Sequence, residues 1–274
     1  MKEISKIYVE IRLFFDELFG LVLSENLTQL NEEKLIALVA SEPNESLSSL
    51  MRDYRSGVLR PRLLSLISIF TVNHTSFFRE NAHFDFFKNQ ALPEILKGLT
   101  VVKEQEIRVW SAAASSGEEA YSIIISMFDY LDSKNLQTEC NVLATDIDIE
   151  ALQIGEKGRY SEKKLAKCWK KNYVNYFESN EDNALHIKEN LKSHVLFRWL
   201  NLNSEVYPMR KKFHSIFCRN VMLYFSEKSR EKLIAKLSDK LYPGGYLFLG
   251  ISETNTVKNP DLIQVSASIY RKKM

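Results

Sequence analysis

Glycine is scarce in this 274-residue chain: it occurs nine times and nowhere in the pattern G-x-G-x-x-G. That pattern lets main-chain N–H groups surround the pyrophosphate of a dinucleotide. Its absence argues against a dinucleotide as the ligand.

The chain also has few cysteines, no long apolar run and a small net charge. The three cysteines, Cys140, Cys168 and Cys218, have no metal-ligand spacing, so we expect reduced thiols, no metal site and a cytoplasmic location. No apolar run approaches the ~20 residues of a membrane-spanning helix, and the first residues do not resemble a signal peptide. We therefore expect no membrane insertion. A net charge of +2 is too small to favour bulk nucleic-acid binding.

The most informative stretch that is present reads V-W-S-A-A-A-S-S-G-E-E-A-Y-S, residues 109–122. An apolar strand at 107–110 leads through small residues at 111–117 into an amphipathic helical pattern at 118–132. A strand, a small-residue turn and a helix in this order form the first nucleotide-binding crevice of doubly wound α/β domains.

Carboxylates at this crevice point to a cationic ligand. Asp146 follows a second apolar strand at 141–144, where an acid can bind the two hydroxyls of a ribose. Glu118 and Glu119 begin the helix and would repel a phosphate, whereas S-adenosylmethionine carries a ribose and a positive charge without a phosphate. The segment alone leaves a simpler alternative equally open, because Ser115 with Glu118, and Ser116 with Glu119, have capping-box spacing.

The second half of the chain fits the sheet of an S-adenosylmethionine-dependent methyltransferase. The pattern predicts a strand at 213–217, a helix at 228–241, a Pro-Gly-Gly turn at 242–246 and a strand at 247–250. The segment at 219–224 would then lie beside the transferred methyl group. It reads R-N-V-M-L-Y and lacks the N/D-P-P-Y/F motif of methyltransferases that act on nitrogen, which disfavours a nucleic-acid substrate.

Three regions are predicted. Residues 1–90 read as a small helical domain, and residues 91–274 as the α/β methyltransferase domain, a Rossmann-like doubly wound sheet. An alternating segment after a polar turn predicts a small antiparallel β insertion at about 173–193.

Five segments from about residue 70 onward resemble, in order and spacing, the CheR-type chemotaxis receptor methyltransferases. They are N-H-T-S-F-F-R-E (73–80), W-S-A-A-A-S-S-G-E-E-A-Y-S (110–122), A-T-D-I-D (144–148), F-R-W-L-N-L (197–202) and F-C-R-N-V-M-L-Y-F (217–225). The resemblance implies methylation of glutamate side chains on chemoreceptors, with S-adenosyl-L-methionine as methyl donor and S-adenosyl-L-homocysteine as product.

The resemblance also implies the site residues. It assigns Arg79 and Tyr224 to the methyl-transfer site, where they would hold the carboxylate. It assigns cofactor binding to Asn73, Thr75, Arg79, Glu119, Asp146, Asn201, Leu202, Asn220 and Val221. A glutamate substrate is already ionised at neutral pH, so no general base and no metal are required.

Two departures from the family concern recognition of the receptor's cytoplasmic helices. The stretch at 33–46 is acidic and apolar where typical members are rich in arginine, and basic residues return at Arg52, Arg55, Arg60 and Arg62. The turn at 178–183 is short and has no glycine, so we expect recognition that is independent of a C-terminal receptor pentapeptide. Two alternatives stay open: a carboxyl methyltransferase for another protein or a small acid, and a non-catalytic S-adenosylmethionine-binding scaffold in signalling.

Overall fold

The N-terminal region folds into helices around an aromatic core. In the computed structural model, which describes residues 2–41, 46–102, 106–162, 173–179 and 184–274, these helices are α1 (Lys2–Phe19), α2 (Gln29–Ser41), α3 (Leu47–Arg55) and α4 (Pro61–Phe70). Phe14, Phe15 and Phe19 recur on one side of α1 and are buried, with ring centroids 5.2–6.0 Å apart. Burial of this apolar face stabilises helices that are marginal in isolation.

The rest of the chain is built on a seven-stranded sheet in the order β6-β2-β1-β7-β8-β10-β9. Its strands are β1 (Glu106–Ala112), β2 (Glu139–Asp146), β6 (Val195–Trp199), β7 (Phe213–Cys218), β8 (Leu241–Leu249), β9 (Leu262–Ser266) and β10 (Ile269–Lys272). The first five strands in the sheet order are parallel, and β10 pairs antiparallel with both β8 and β9. This sheet with its covering helices confirms the predicted α/β class.

Helices cover both faces of the parallel part of the sheet, as its buried strands require. They are α5 (Asn81–Phe86), a π-helical turn (Phe87–Ala91), α6 (Leu92–Val102), α7 (Glu118–Lys134), α8 (Ile149–Lys157), α9 (Glu189–Lys192) and α10 (Glu227–Lys240). Short 3₁₀ segments occupy Tyr173–Tyr176, Met222–Tyr224 and Ile251–Thr256. Within the described residues, no helix combines the length and the apolar character that crossing a membrane requires.

The Pro-Gly-Gly stretch differs from its prediction. The turn predicted at 242–246 lies inside β8, where the pairing with β7 shifts register between Phe213 and Ser215. A Cβ at Gly245 would lie 2.9 Å from the main-chain oxygen of Tyr242 and 3.0 Å from that of His214. The backbones therefore approach too closely for a side chain, and the glycine marks an irregularity within the strand rather than its boundary.

A second, three-stranded antiparallel sheet has the order β3-β5-β4. Its strands are β3 (Arg159–Ser161), β4 (Phe177–Ser179) and β5 (Ala184–Ile187). β4 and β5 fall within the range predicted for the insertion, and β3 precedes it. Residues 180–183 of the predicted glycine-free turn, and Cys168, lie outside the described residues.

The N-terminal helices are joined to the main sheet by hydrogen bonds. An isolated bridge pairs Leu21 with Phe225, and the N–H of Val22 donates to the main-chain oxygen of Tyr224 at 2.7 Å. The segment that follows α1 therefore lies directly against the segment that follows β7.

Candidate active site

A cleft of about 1040 Å³, open to solvent, lies at the carboxyl ends of the parallel strands. This is where open α/β sheets bind their ligands. Residues 19, 21–23 and 70–76 form one wall, so the N-terminal region contributes to it. The cleft brings together all the residues predicted for the site: Asn73, Thr75, Arg79, Glu119, Asp146, Asn201, Leu202, Asn220, Val221 and Tyr224.

The turn between β1 and α7 uses unusual backbone conformations. Ala113, Ser115 and Gly117 have φ of 70°, 49° and 91°. At Gly117 a Cβ would lie 2.9 Å from the Cα of Gly155 and 3.0 Å from the ring of Phe197. The small residues thus let the turn pack tightly against α8 and β6 while its other side faces the cleft.

The capping-box alternative for this turn is wrong. Gly117 is the N-cap of α7 and has no side chain to accept a hydrogen bond. The hydroxyl of Ser115 instead donates to Asn73 at 3.2 Å, and that of Ser116 donates to Glu118 at 2.6 Å. Glu118 is fully buried, which separates it from its neighbour Glu119 in the cleft.

Asp146 ends β2 with its carboxylate in the cleft wall. It accepts main-chain N–H groups of Ser115 at 2.7 Å and Asp148 at 2.9 Å, and it is 8% exposed. Burial raises the pKa of this carboxyl to about 6, against the opposing effect of the main-chain hydrogen bonds. Each carboxylate oxygen keeps lone pairs for further donors such as ribose hydroxyls.

Asp148 has a different role from Asp146. It caps α8 and accepts hydrogen bonds from Ser68, Thr71 and Asn73 at 2.6–2.7 Å. Burial acts to raise its pKa, but these hydrogen bonds outweigh it and hold the pKa below the usual range. Asp148 therefore joins α4 to the base of the cleft.

The sequence did not assign a role to Arg219, which lies at the centre of an ion network. Its side chain is 1% exposed, and its guanidinium donates to Glu80 at 2.8 Å and to Glu119 at 3.2 Å. Glu119 also accepts a 2.7 Å hydrogen bond from Ser111. Two carboxylates share one guanidinium, so the network carries excess negative charge toward the cleft.

The pKa values of the two carboxylates in this network shift in opposite directions. Burial raises the pKa of Glu119, and the opposing effects of Arg219 and Ser111 do not cancel it. Burial acts in the same direction on Glu80, but hydrogen bonds from Arg219 and Asn220 outweigh it and lower its pKa. A further cation or hydrogen-bond donor would therefore stabilise the ionised form of Glu119 more than that of Glu80.

Arg79 and Tyr224 lie on the cleft wall. One N–H of the Arg79 guanidinium donates to the main-chain oxygen of His74 at 2.7 Å, which uses one of the five donors of that group. Tyr224 belongs to the 3₁₀ segment after β7, and its main-chain oxygen accepts the N–H of Val22.

Hydrogen bonds with three helices fix the loop after β6. The side-chain amide of Asn201 donates to Leu18 and Tyr54, each at 2.8 Å. The main-chain oxygen of Leu202 accepts from Lys236 at 2.7 Å and from Tyr207 at 2.6 Å. The loop is thus held rigidly where it lines the cleft.

Asn220 has a left-handed conformation, with φ of 56°. Its N–H donates to Glu253 at 2.8 Å and its side-chain amide to Glu80 at 3.1 Å. The sequence analysis assigned no role to Glu80 or Glu253. Glu80 and Arg219 stand within the family-resembling segments 73–80 and 217–225, which was the one signal available in the sequence.

The chemistry of the cleft suits a cationic ligand with hydroxyl donors. Its walls combine the carboxylates of Asp146 and Glu119 with the guanidinium of Arg79. Within the part of the chain that the structure describes, no group of three or more His, Cys, Asp or Glu side chains could hold a metal ion.

Comparison with known proteins gives a family and close relatives. Residues 73–271 match a family model described as CheR methyltransferase, SAM binding domain. A chemotaxis protein methyltransferase of Borreliella burgdorferi is 36% identical over 254 residues, 93% of this chain and 89% of the relative. Chemotaxis protein methyltransferase 1 of Pseudomonas aeruginosa is 32% identical over 270 residues, 96% of each chain. A solved SAM-dependent methyltransferase of Methanosarcina mazei is 15% identical, with a TM-score of 0.32 over 53% of this chain and 52% of that one.

Proposed function

Because the chain belongs to the CheR methyltransferase family, we propose that it transfers a methyl group from S-adenosylmethionine to glutamate side chains of chemoreceptors. The products are a glutamate methyl ester and S-adenosylhomocysteine. The observation that carries the proposal is the cleft that gathers Asp146, Glu119, Arg79 and Tyr224 at the carboxyl ends of the parallel strands.

The charges of the cleft fit this cofactor. A ribose offers two hydroxyl donors to the buried carboxylate of Asp146. The ammonium group of the methionine portion would find a partner in Glu119, whose raised pKa marks a carboxylate with incomplete compensation. Its carboxylate would bind Arg79. Asn201 and Leu202 would flank the adenine, while Asn73, Thr75, Asn220 and Val221 complete the walls.

When bound, S-adenosylmethionine supplies an electrophilic methyl group on a sulfonium. The chain's task is to hold a glutamate carboxylate in line with the carbon–sulfur bond and to keep water away. The substrate glutamate has a pKa near 4.3 and needs no base to remove a proton. Arg79 and Tyr224 can donate to the carboxylate oxygen that does not attack, which orients it without neutralising the other oxygen.

The proposed partners are the cytoplasmic helices of chemoreceptors, and the enzyme would act in the cytoplasm. Of the arginines predicted to contact them, Arg52, Arg55 and Arg60 are exposed on or beside α3 and α4. Arg55 pairs with Glu17, and Arg60 with Asp53. Arg62 is only 9% exposed, so it offers little surface to a docked receptor, contrary to its prediction as a surface contact.

With recognition through this helical region and a short turn without glycine at 178–183, the enzyme would be independent of a C-terminal receptor peptide. Peptides that match the receptor C-termini are titrated against the enzyme, and tail-truncated receptors are methylated at low and high salt. We expect no tight peptide binding and salt-sensitive methylation that survives tail removal. Tight peptide binding, or loss of methylation with the tail, would contradict this part of the proposal.

Methyl transfer itself is tested with S-adenosylmethionine that carries a labelled methyl group. The enzyme is incubated with membranes of its source organism, and the label is treated with base. A glutamate methyl ester releases labelled methanol under these conditions. Binding of S-adenosylhomocysteine without transfer to any fraction would indicate the scaffold alternative, and transfer to a soluble acid would indicate the small-acid alternative.

A further inference from the structure

A buried carboxylate behind the cleft holds the segment that carries the site residues after β7. Glu253, in the 3₁₀ segment that follows β8, is 2% exposed. It accepts main-chain N–H groups from Gly250 at 2.7 Å, Asn220 at 2.8 Å and Met222 at 2.7 Å. Hydrogen bonds to an ionised acceptor are about twice as strong as neutral ones.

The held segment has a conformation that needs support. Asn220 is left-handed, a conformation that residues other than glycine adopt uncommonly. Gly250 leaves room for the arrangement, because a Cβ there would lie 2.6 Å from the Oε2 of Glu253 and 2.7 Å from the side-chain nitrogen of Asn220. The carboxylate, the glycine and the strained residue therefore form one fitted unit.

We propose that Glu253 is a positioning residue for methyl transfer. It does not line the cleft, so it acts through the main chain: fixing Met222 sets the 3₁₀ turn that ends at Tyr224. Within that turn the N–H of Tyr224 donates to the main-chain oxygen of Val221 at 3.1 Å. The segment that Glu253 holds therefore also fixes the position of Tyr224. This inference rests on the proposed function.

The two oxygens of Glu253 accept from different main-chain groups, and this predicts a selective defect. Oε2 accepts from both Gly250 and Asn220, whereas Oε1 accepts from Met222. In Glu253→Gln the remaining oxygen can keep the two bonds at the Oε2 position. The amide NH₂ then faces the N–H of Met222, where two donors meet and no bond forms. The Tyr224 end is released while the Asn220 end stays in place.

The test compares Glu253→Gln with Glu231→Gln, an exposed glutamate on α10 whose partner is Lys258. Three measurements are made: hydrogen exchange of the peptide at 221–225, calorimetric binding of S-adenosylhomocysteine, and kcat for methyl transfer to chemoreceptor membranes. For Glu253→Gln we expect at least fivefold faster exchange, at least tenfold lower kcat and a Kd within threefold of the wild type. The control should match the wild type in all three.

Two outcomes overturn the proposal. One is an unchanged kcat of Glu253→Gln together with wild-type hydrogen exchange at 221–225. The other is a Kd for S-adenosylhomocysteine that rises in parallel with the fall in kcat. If Glu253→Gln does not fold, Glu253→Asp replaces it, because aspartate keeps both acceptor oxygens on a shorter side chain. We expect this variant to fold with a reduced kcat and faster exchange. Wild-type values of both would refute the role of Glu253. A wild-type enzyme that transfers no methyl group would refute the proposed function, while hydrogen exchange still decides whether Glu253 holds the segment.

Discussion

The side-chain amide of Asn201 donates a 2.8 Å hydrogen bond to the hydroxyl of Tyr54, which joins the loop after β6 to helix α3. The same nitrogen donates to the main-chain oxygen of Leu18 at the end of α1. A residue predicted for the cofactor site thus also fastens the N-terminal helices to the sheet.

Replacement of Tyr54 by phenylalanine removes this bond and leaves the ring packing in place. We expect the free energy of unfolding to fall by about 1 kcal/mol, the usual net contribution of one intramolecular hydrogen bond. Urea unfolding measures the change. Tyr130→Phe, on α7 and outside the cleft lining, is the control, and equal stability of the two variants would contradict the prediction.

Asp146→Ala tests the ribose assignment. It removes an acceptor from the cleft, and we expect S-adenosylhomocysteine to bind about 1–3 kcal/mol more weakly because ligand donors lose their partner. Calorimetry measures the binding, with Asp239→Ala on the exposed side of α10 as the control. Unchanged affinity of the Asp146 variant would rule out its role at the ribose.

The raised pKa of Asp146 predicts a pH dependence of cofactor binding. With a pKa of about 6 in the ligand-free protein, the carboxyl is ionised at neutral pH and takes up a proton as the pH falls through 6. Protonation removes an acceptor, so the affinity for S-adenosylhomocysteine should fall by up to tenfold per pH unit below that point. The inflection should persist in Glu119→Gln and disappear in Asp146→Asn; its survival in the latter would assign it to another group.

Arg219→Met tests the ion network. The substitution leaves the partly buried carboxylates of Glu80 and Glu119 without their cation, and we expect a loss of about 3–5 kcal/mol in the free energy of unfolding. Arg55→Met removes the exposed pair with Glu17 and should cost at most about 1 kcal/mol. Comparable losses in the two variants, measured by urea unfolding, would show that the network does not stabilise the fold.

Arg79→Ala separates catalysis from stability. We expect turnover to fall at least tenfold while thermal unfolding changes little, because the guanidinium faces the cleft. The wild-type rate should rise as the acceptor carboxylate ionises and then stay level through neutral pH. A second inflection in the pH–rate profile that His74→Ala abolishes would reveal a general base.

The sequence was sufficient for the fold class because its signals are local. Alternation and helical spacing mark each element, and small residues between 111 and 117 mark the turn where the backbone must approach a ligand. The turn predicted for the Pro-Gly-Gly stretch was wrong because Gly245 is needed for a close backbone contact with β7, a strand about thirty residues away in the chain. Local turn chemistry cannot distinguish that contact from a true turn.

The site was predictable only where a residue stands in a recognisable segment and faces the cleft directly. Arg219 and Glu80 are separated by 139 residues, and Glu253 binds N–H groups up to 33 residues away. Each is a single charged residue whose partner is set by the tertiary fold. No periodicity or capping pattern reports such pairs, so their roles emerged only from the structure.

The wall that the N-terminal region lends to the cleft limits how this protein can be divided or rebuilt. A chain that began at Asn73, the first residue of the family match, would keep every strand of the sheet and lose Phe19, Leu21 and Phe70 from the cleft lining. Exchanging the first 70 residues for those of a relative with another receptor preference would exchange part of the cofactor pocket too. Under the proposed function, such an exchange would alter receptor choice and cofactor affinity together.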